Sequence, residues 1–133
     1  MNESCIFCHI VTGKQKSYKV YEDESFLGFL DIFPRVKGHT LVIPKKHYQW
    51  VYDVPEFADY WKVVLKITRG IQKTFNPAFI TYLTYGLEVS HAHIHILPRM
   101  NQQLETGVFP PPKQFSQEEM QFIAKNIYES TRS

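Results

Sequence analysis

Cysteine is scarce in this chain, and the two that occur stand together in Cys5-Ile6-Phe7-Cys8. Such a pair reads as metal ligation or redox chemistry, not as a structural disulfide. A thioredoxin-like redox site needs a strand before the pair, and none precedes it here. Zinc fits better, and it needs two more ligands. The six glycines are scattered, and none builds a P-loop or other glycine-rich phosphate cradle. Formal net charge is only +2 and no long basic run exists, so nothing calls for nucleic acid as a partner. No apolar run approaches a membrane span, and Met1-Asn2-Glu3-Ser4-Cys5 lacks a signal-peptide pattern. The expectation is a soluble, cytoplasmic protein with no membrane partner.

What is present suits one domain. The chain has 133 residues, and a hydrophobic content of 44% with ten Phe is enough for a core. Its most informative stretch is His91-Ala92-His93-Ile94-His95-Ile96-Leu97, which holds three of the six histidines. A strand sends successive side chains to opposite faces. His91, His93 and His95 then share one face, and Ala92, Ile94 and Ile96 share the other. The imidazoles repeat every two strand residues, roughly 6.7 Å, a spacing suited to a phosphate and its neighbours. Neutral imidazole can attack, bind metal or accept a proton near pH 7. Two plainer readings stand beside this one. Each histidine is an ordinary hydrogen-bonded residue, or the row binds metal, although three in one row converge poorly on a tetrahedral ion.

Along the chain, Cys5 to Thr12 predicts a short helix or turn ended by Gly13. Tyr18–Tyr21, Phe26–Leu30, His39–Pro44, Phe79–Tyr85 and Ser90–Leu97 predict five strands. Pro55 opens the longest helix, with Trp61, Val64, Leu65, Thr68, Ile71 and Phe75 at helical spacing and Asn76-Pro77 at its end. Asn101 to Lys113 predicts an extended arm carrying Pro110-Pro111-Pro112. Ser116-Gln117-Glu118-Glu119 is a capping box before a terminal helix that packs Phe122, Ile123 and Ile127. The expectation is an α+β fold: a mainly antiparallel sheet of about five strands, one long central helix and a C-terminal helix. Residues 1–133 form a single domain in this reading, with its core at about 5–99 and the arm and helix at 100–133.

His91 through Pro98-Arg99 resembles the signature of the histidine-triad (HIT) family. Phe29-Leu30-Asp31-Ile32 and the run from Gly38-His39 to Lys45-Lys46-His47 resemble the nucleoside-binding and basic-strand segments of the same family, in order and spacing. The resemblance implies a nucleotide hydrolase or transferase. It would act at the α-phosphate of nucleoside phosphoramidates, dinucleoside polyphosphates or related conjugates of adenine or guanine ribonucleotides. His93 is then the nucleophile, forming a nucleotidyl-histidine intermediate that water cleaves. A backbone carbonyl near His95 would hold His93 Nδ1–H. His95 would donate to the phosphate oxygens, and His39 would hydrogen-bond into the cluster. Asp31 would take the ribose hydroxyls; taken alone, it reads equally as a turn cap. Ile32 and Phe29 would flank the base, with Phe7 and Ile10 as further walls. The resemblance extends to a zinc-bearing branch, which implies structural zinc on Cys5, Cys8, His47 and His91, with His9 left at the surface. It also implies a homodimer.

The chain departs from that family before the triad. Relatives carry a Gly-Gln and then Ser or Thr there; this chain has the shorter Tyr85-Gly86-Leu87-Glu88-Val89-Ser90. Leu87 donates no hydrogen bond, and an ionised Glu88 repels phosphate unless it is protonated or turned away. Glu88 is open to two readings, a general acid or a solvated turn carboxylate. A non-catalytic nucleotide-binding or partner-binding module with the same fold is the alternative to the enzyme, and a purely structural zinc domain is a third reading.

Overall fold

The structure is a computed structural model, described here for residues 4–100 and 107–132. Nine elements follow one another. Helix α1 is Ile6–Thr12; β1 is Lys19–Glu22, β2 Phe26–Leu30 and β3 Thr40–Pro44. A 3-10 turn at Val51–Asp53 leads into α2, Phe57–Phe75; then come β4, Phe79–Leu83, β5, Ile94–Arg99, and α3, Gln117–Arg132. The strands form one sheet in the order β1-β2-β3-β5-β4, antiparallel at every pairing. The fold is the α+β arrangement expected from the sequence, with its helices on both faces of an antiparallel sheet.

Both faces of the central strands are buried, which is why β2 and β3 read as unbroken apolar runs. Phe26 and Leu30 of β2, Val42 of β3, and Ile94 and Ile96 of β5 pack against α2 and α3. The residues between them, Leu27, Phe29, Leu41 and Ile43, pack against Phe7 and Ile10 of α1. The first face carries the larger aliphatic layer. The second, under the short α1, is where the histidines point. No helix among the described residues is long and apolar enough to cross a membrane.

Local chemistry sets the element ends. Cys5 caps α1 by accepting from Cys8 N at 3.3 Å, and Gly13 closes it in the left-handed region at φ 82°. Asn76 closes α2 at φ 51°, just before Pro77. The capping box is present at α3: Ser116 N–H donates to Glu119 Oε1 at 3.0 Å, and Glu119 N–H to Ser116 Oγ at 3.1 Å. Gly70 of α2 lies against the end of α3. A Cβ there would fall onto Thr131 Oγ1 and within 3.0 Å of Thr131 Cα.

Several expectations shift. β5 begins at Ile94, so His91, at a bend, and His93 stand on the lead-in and only His95 lies within the strand. Other groups take the ladder's place there: Ala92 N–H donates to Tyr48 O at 2.6 Å, and Thr84 Oγ1 donates to His93 O at 2.8 Å. The three rings still share the α1 side: Phe7 stands edge-on to His91 and to His93, and His93 to His95. Leu65 is 48% exposed and Phe122 68% exposed, so neither packs in the core. The helical spacing that suggested them is met by their neighbours: Val63, Val64 and Ile67 in α2, and Met120, Ile123 and Ile127 in α3. Of the arm, 101–106 lies outside the described residues.

Candidate functional site

A cavity of about 640 Å³ opens between α1 and the sheet. Phe7, Ile10, Phe29 and Leu41 make its apolar floor, and Asp31, His93 and His95 supply polar groups. Phe29 is both core and lining, 3% exposed with its ring 5.5 Å from Phe7. Ile32 stands at the rim, 62% exposed.

Hydrogen bonds fix the proton on each ring. Arg35 N–H donates to His39 Nδ1 at 3.0 Å, so His39 carries its proton on Nε2. That Nε2–H donates to His95 Nδ1 at 2.8 Å, which leaves the His95 proton on Nε2. His93 runs the opposite way: its Nδ1–H donates to His91 O at 2.8 Å, and Nε2 keeps a free lone pair. The holding carbonyl is that of His91, not one near His95, because the His93 ring reaches back to the chain two residues before it. The His93 and His95 ring centroids are 5.0 Å apart. The site therefore sets a bare nitrogen beside an N–H donor.

Burial keeps these rings neutral. It pulls His39 and His95 down to about 3, helped by neighbouring imidazoles and by Arg35. It lowers His93 as well, against the opposing pull of Asp31 and Glu88. Burial raises Asp31, while Phe33 N–H, 2.9 Å from its Oδ1, works against the rise. Asp31 is thus a turn cap through Oδ1, with Oδ2 3.6 Å from His39 Nε2.

Cys5, Cys8, His47 and His91 converge behind the histidine row. Their ligating atoms all lie within 4.8 Å of one another. Cys5 Sγ is 3.3 Å and Cys8 Sγ 3.5 Å from His91 Nδ1, and Cys8 Sγ is 3.3 Å from His47 Nδ1. Tetrahedral zinc, with bonds of about 2.3 Å to sulfur and about 2.0 Å to nitrogen, sets sulfur–nitrogen edges of roughly 3.5 Å. His91 Nε2–H donates to Pro44 O at 2.8 Å, which frees Nδ1 to ligate. Burial brings His91 down to about 4 and pushes the Cys5 thiol up. The donor set fits zinc, and a cation would replace the proton that burial otherwise retains on Cys5.

The sequence-derived residues are brought together in these two sets, His39, His93, His95 and Asp31 in one and the four metal candidates in the other. Two side chains escaped the sequence reading. Arg35 lies in the loop before β3 and Phe109 in the polar arm, and both line the cavity. The one signal for Phe109 was an aromatic in an otherwise polar, proline-rich stretch. In the shortened turn, Leu87 is 64% exposed, while Glu88 lines the cavity and its charge is felt at His93 and Asp31.

Residues 12–102 match the family model of the HIT domain. The chain is 48% identical over 107 residues to Protein hit of Bacillus subtilis, covering 73% of this chain and 72% of that protein. It is 36% identical over 127 residues to adenosine 5'-monophosphoramidase hnt1 of Schizosaccharomyces pombe, covering 93% and 96%. A zinc-bound histidine triad family protein from Mycobacterium smegmatis superposes with a TM-score of 0.78 at 29% identity, over 97% of this chain and 94% of that one.

Proposed function

The chain belongs to the HIT domain family, and on that premise we propose that it is a nucleotide hydrolase or transferase working at the α-phosphate through His93. One observation carries the reading: the bare Nε2 of His93 stands beside the Nε2–H of His95 on the wall of one cavity. His93 Nε2 attacks the α-phosphorus, the bond to the leaving group breaks, and a nucleotidyl-imidazole forms. His95 donates to a non-bridging oxygen as charge develops, and His39 holds His95 in the donating tautomer. Water then cleaves the N–P bond and restores the imidazole. Asp31 Oδ2 takes ribose hydroxyls, and Phe29 and Ile32 flank an adenine or guanine base. The similarity to a monophosphoramidase supports this class of substrate.

Cys5, Cys8, His47 and His91 would hold zinc. With four protein ligands it would be structural, tying α1 to the lead-in before β5. A homodimer belongs to the same reading: β4 is an outer strand of the sheet, and Phe79 and Tyr82 on it are each 40% exposed. The alternative, a nucleotide-binding module without turnover, is favoured by the turn that offers Glu88 in place of a hydroxyl.

The deciding experiment incubates wild type and His93→Ala with an adenosine phosphoramidate and with a dinucleoside polyphosphate. Wild type releases AMP. His93→Ala still binds nucleotide but turns over more slowly by several orders of magnitude, as expected on loss of a nucleophile. Near wild-type turnover by His93→Ala overturns the mechanism; binding without turnover by wild type establishes the module instead.

A further inference from the structure

Residues 107–113 run as a strap back across the histidine row. They are pinned at three places. Arg99 Nη2 donates to Gly107 O at 2.9 Å, Arg35 Nη1 to Pro110 O at 3.1 Å, and Lys113 N–H to Pro34 O at 2.7 Å. Between the pins, Phe109 sets its ring edge-on to His95 and His39, with centroids 5.3 Å and 5.9 Å away. The Arg35 guanidinium lies over that ring, 4.2 Å from its centroid. A stacked guanidinium keeps its donor edge presented, and Pro110 engages one nitrogen of a group with five N–H donors.

Four charged side chains line the cavity: Asp31 and Glu88, Arg35 and Lys16. Glu88 is felt at His93 and Asp31, while Arg35 is felt at Asp31, His39 and His95. Lys16, the other basic residue among those described as lining the cavity, borders a separate groove with Gln121 and Lys125 of α3. A ligand with a chain of phosphates thus meets one guanidinium at the histidines, that of Arg35, stacked on the Phe109 ring that packs against His95. In-line attack by His93 expels its leaving group away from His93. Phe109 and Arg35 form the part of the cavity wall next to His95 and His39.

Resting on the nucleotide reading above, we propose that Arg35, braced by Phe109, binds the anionic leaving group of a nucleotide whose α-phosphorus is joined to a further phosphate. The substrate class it selects is the phosphoanhydride. As the His93 N–P bond forms, the P–O bond to the bridging oxygen breaks. The electron pair leaves on that oxygen, and the terminal phosphate departs as an anion hydrogen-bonded to Arg35. No proton has to reach it. Water then releases the nucleoside monophosphate, with one proton passing to solvent. Phe109 acts through Arg35 and is a positioning residue.

The test is calorimetric titration of the full chain with AMP and with ADP in its α,β-methylene form, in which a carbon bridge replaces the oxygen that His93 would expel. Wild type binds ADP more tightly than AMP. Arg35→Gln weakens ADP by about 10- to 100-fold, the range of a lost charge-assisted hydrogen bond, and AMP by less than about threefold. The His39 acceptor is untouched in this variant, because its donor is the Arg35 backbone. Phe109→Leu gives a smaller loss confined to ADP, and Phe109→Tyr restores binding. Equal losses for AMP and ADP overturn the proposal, as does an unchanged ADP affinity. If wild type binds neither nucleotide, the nucleotide reading fails and this one falls with it. An ADP-selective loss in a protein without turnover keeps the phosphate contact of Arg35 but overturns its leaving-group role along with the hydrolase reading.

Discussion

The carbonyl of His91 accepts the Nδ1–H of His93 at 2.8 Å, while the ring of His91 turns away to place Nδ1 3.3 Å from Cys5 Sγ. One residue therefore links the metal set to the nucleophile. Whatever fixes the His91 ring also fixes the carbonyl that holds His93 in its attacking tautomer.

Purified without added metal, the protein should contain about one zinc per chain by elemental analysis. Cys5→Ser should lower both zinc content and Tm, since a four-ligand structural site contributes folding energy directly. Turnover should fall as well, with His93 itself intact. A metal-free wild type together with an unchanged Tm in Cys5→Ser would refute the zinc assignment.

Asp31→Ala should weaken ribonucleotides by about 10- to 100-fold, the equivalent of roughly 1.5–3 kcal/mol for a hydrogen bond to a charged group. The corresponding 2'-deoxynucleotides should lose much less. Because Oδ1 already accepts Phe33 N–H, some loss of Tm should accompany the change. Equal weakening of both nucleotide types would mean that Asp31 acts only as the turn cap.

Acid should destabilise the fold through His39 and His95. Both stand near 3 in the folded chain, against an ordinary value of about 6.5 in the unfolded one. Below that ordinary value the unfolded state binds more protons than the folded state. Stability is therefore full above it and is lost as pH falls, by about 1.4 kcal/mol per pH unit for each such group. Urea unfolding of wild type and His39→Gln between pH 6 and 4 checks this. The wild-type curve should fall more steeply by about one proton's worth, and the metal set, common to both, cancels in the comparison. Parallel curves would remove His39 from the account.

Gly70→Ala should destabilise by about 1–3 kcal/mol, although Ala is favoured over Gly in a helix by up to about 1 kcal/mol. The new methyl meets Thr131, whose buried hydroxyl makes no hydrogen bond among the described residues. Adding Thr131→Ala should recover part of the loss. A rise in Tm for Gly70→Ala alone would show that α2 and α3 can separate at no cost.

The strands, the long helix and the capping box were legible because each leaves a local pattern: an apolar run, a 3.6-residue repeat, a Ser and a Glu three apart. The triad was legible for the same reason, since alternation along an extended chain determines which side chains share a face. The start of β5 was not. What ends the ladder before Ile94 is the side chain of Thr84 bonding to His93 O, a tertiary event with no trace near residue 93. The carbonyl partner of His93 was misplaced for the same reason. Arg35 was invisible as a cavity residue, because its position depends on a ring 74 residues away in the chain, at Phe109. Leu65 and Phe122 show the opposite failure. A helical repeat says which residues are neighbours on a helix surface, but the width of the buried stripe is set by what packs against it.

The sheet also divides two kinds of constraint. The aliphatic layer that holds α2 and α3 lies on one face, and the imidazoles with their cavity lie on the other. The turn at 85–89 and the strap at 107–113 border only the second. Substitutions in these two segments can change which leaving group is accepted while the aliphatic layer stays as it is. Descendants of this chain can thus drift in substrate preference at nearly constant melting temperature, and their divergence should concentrate in those two segments before it reaches α2 or α3.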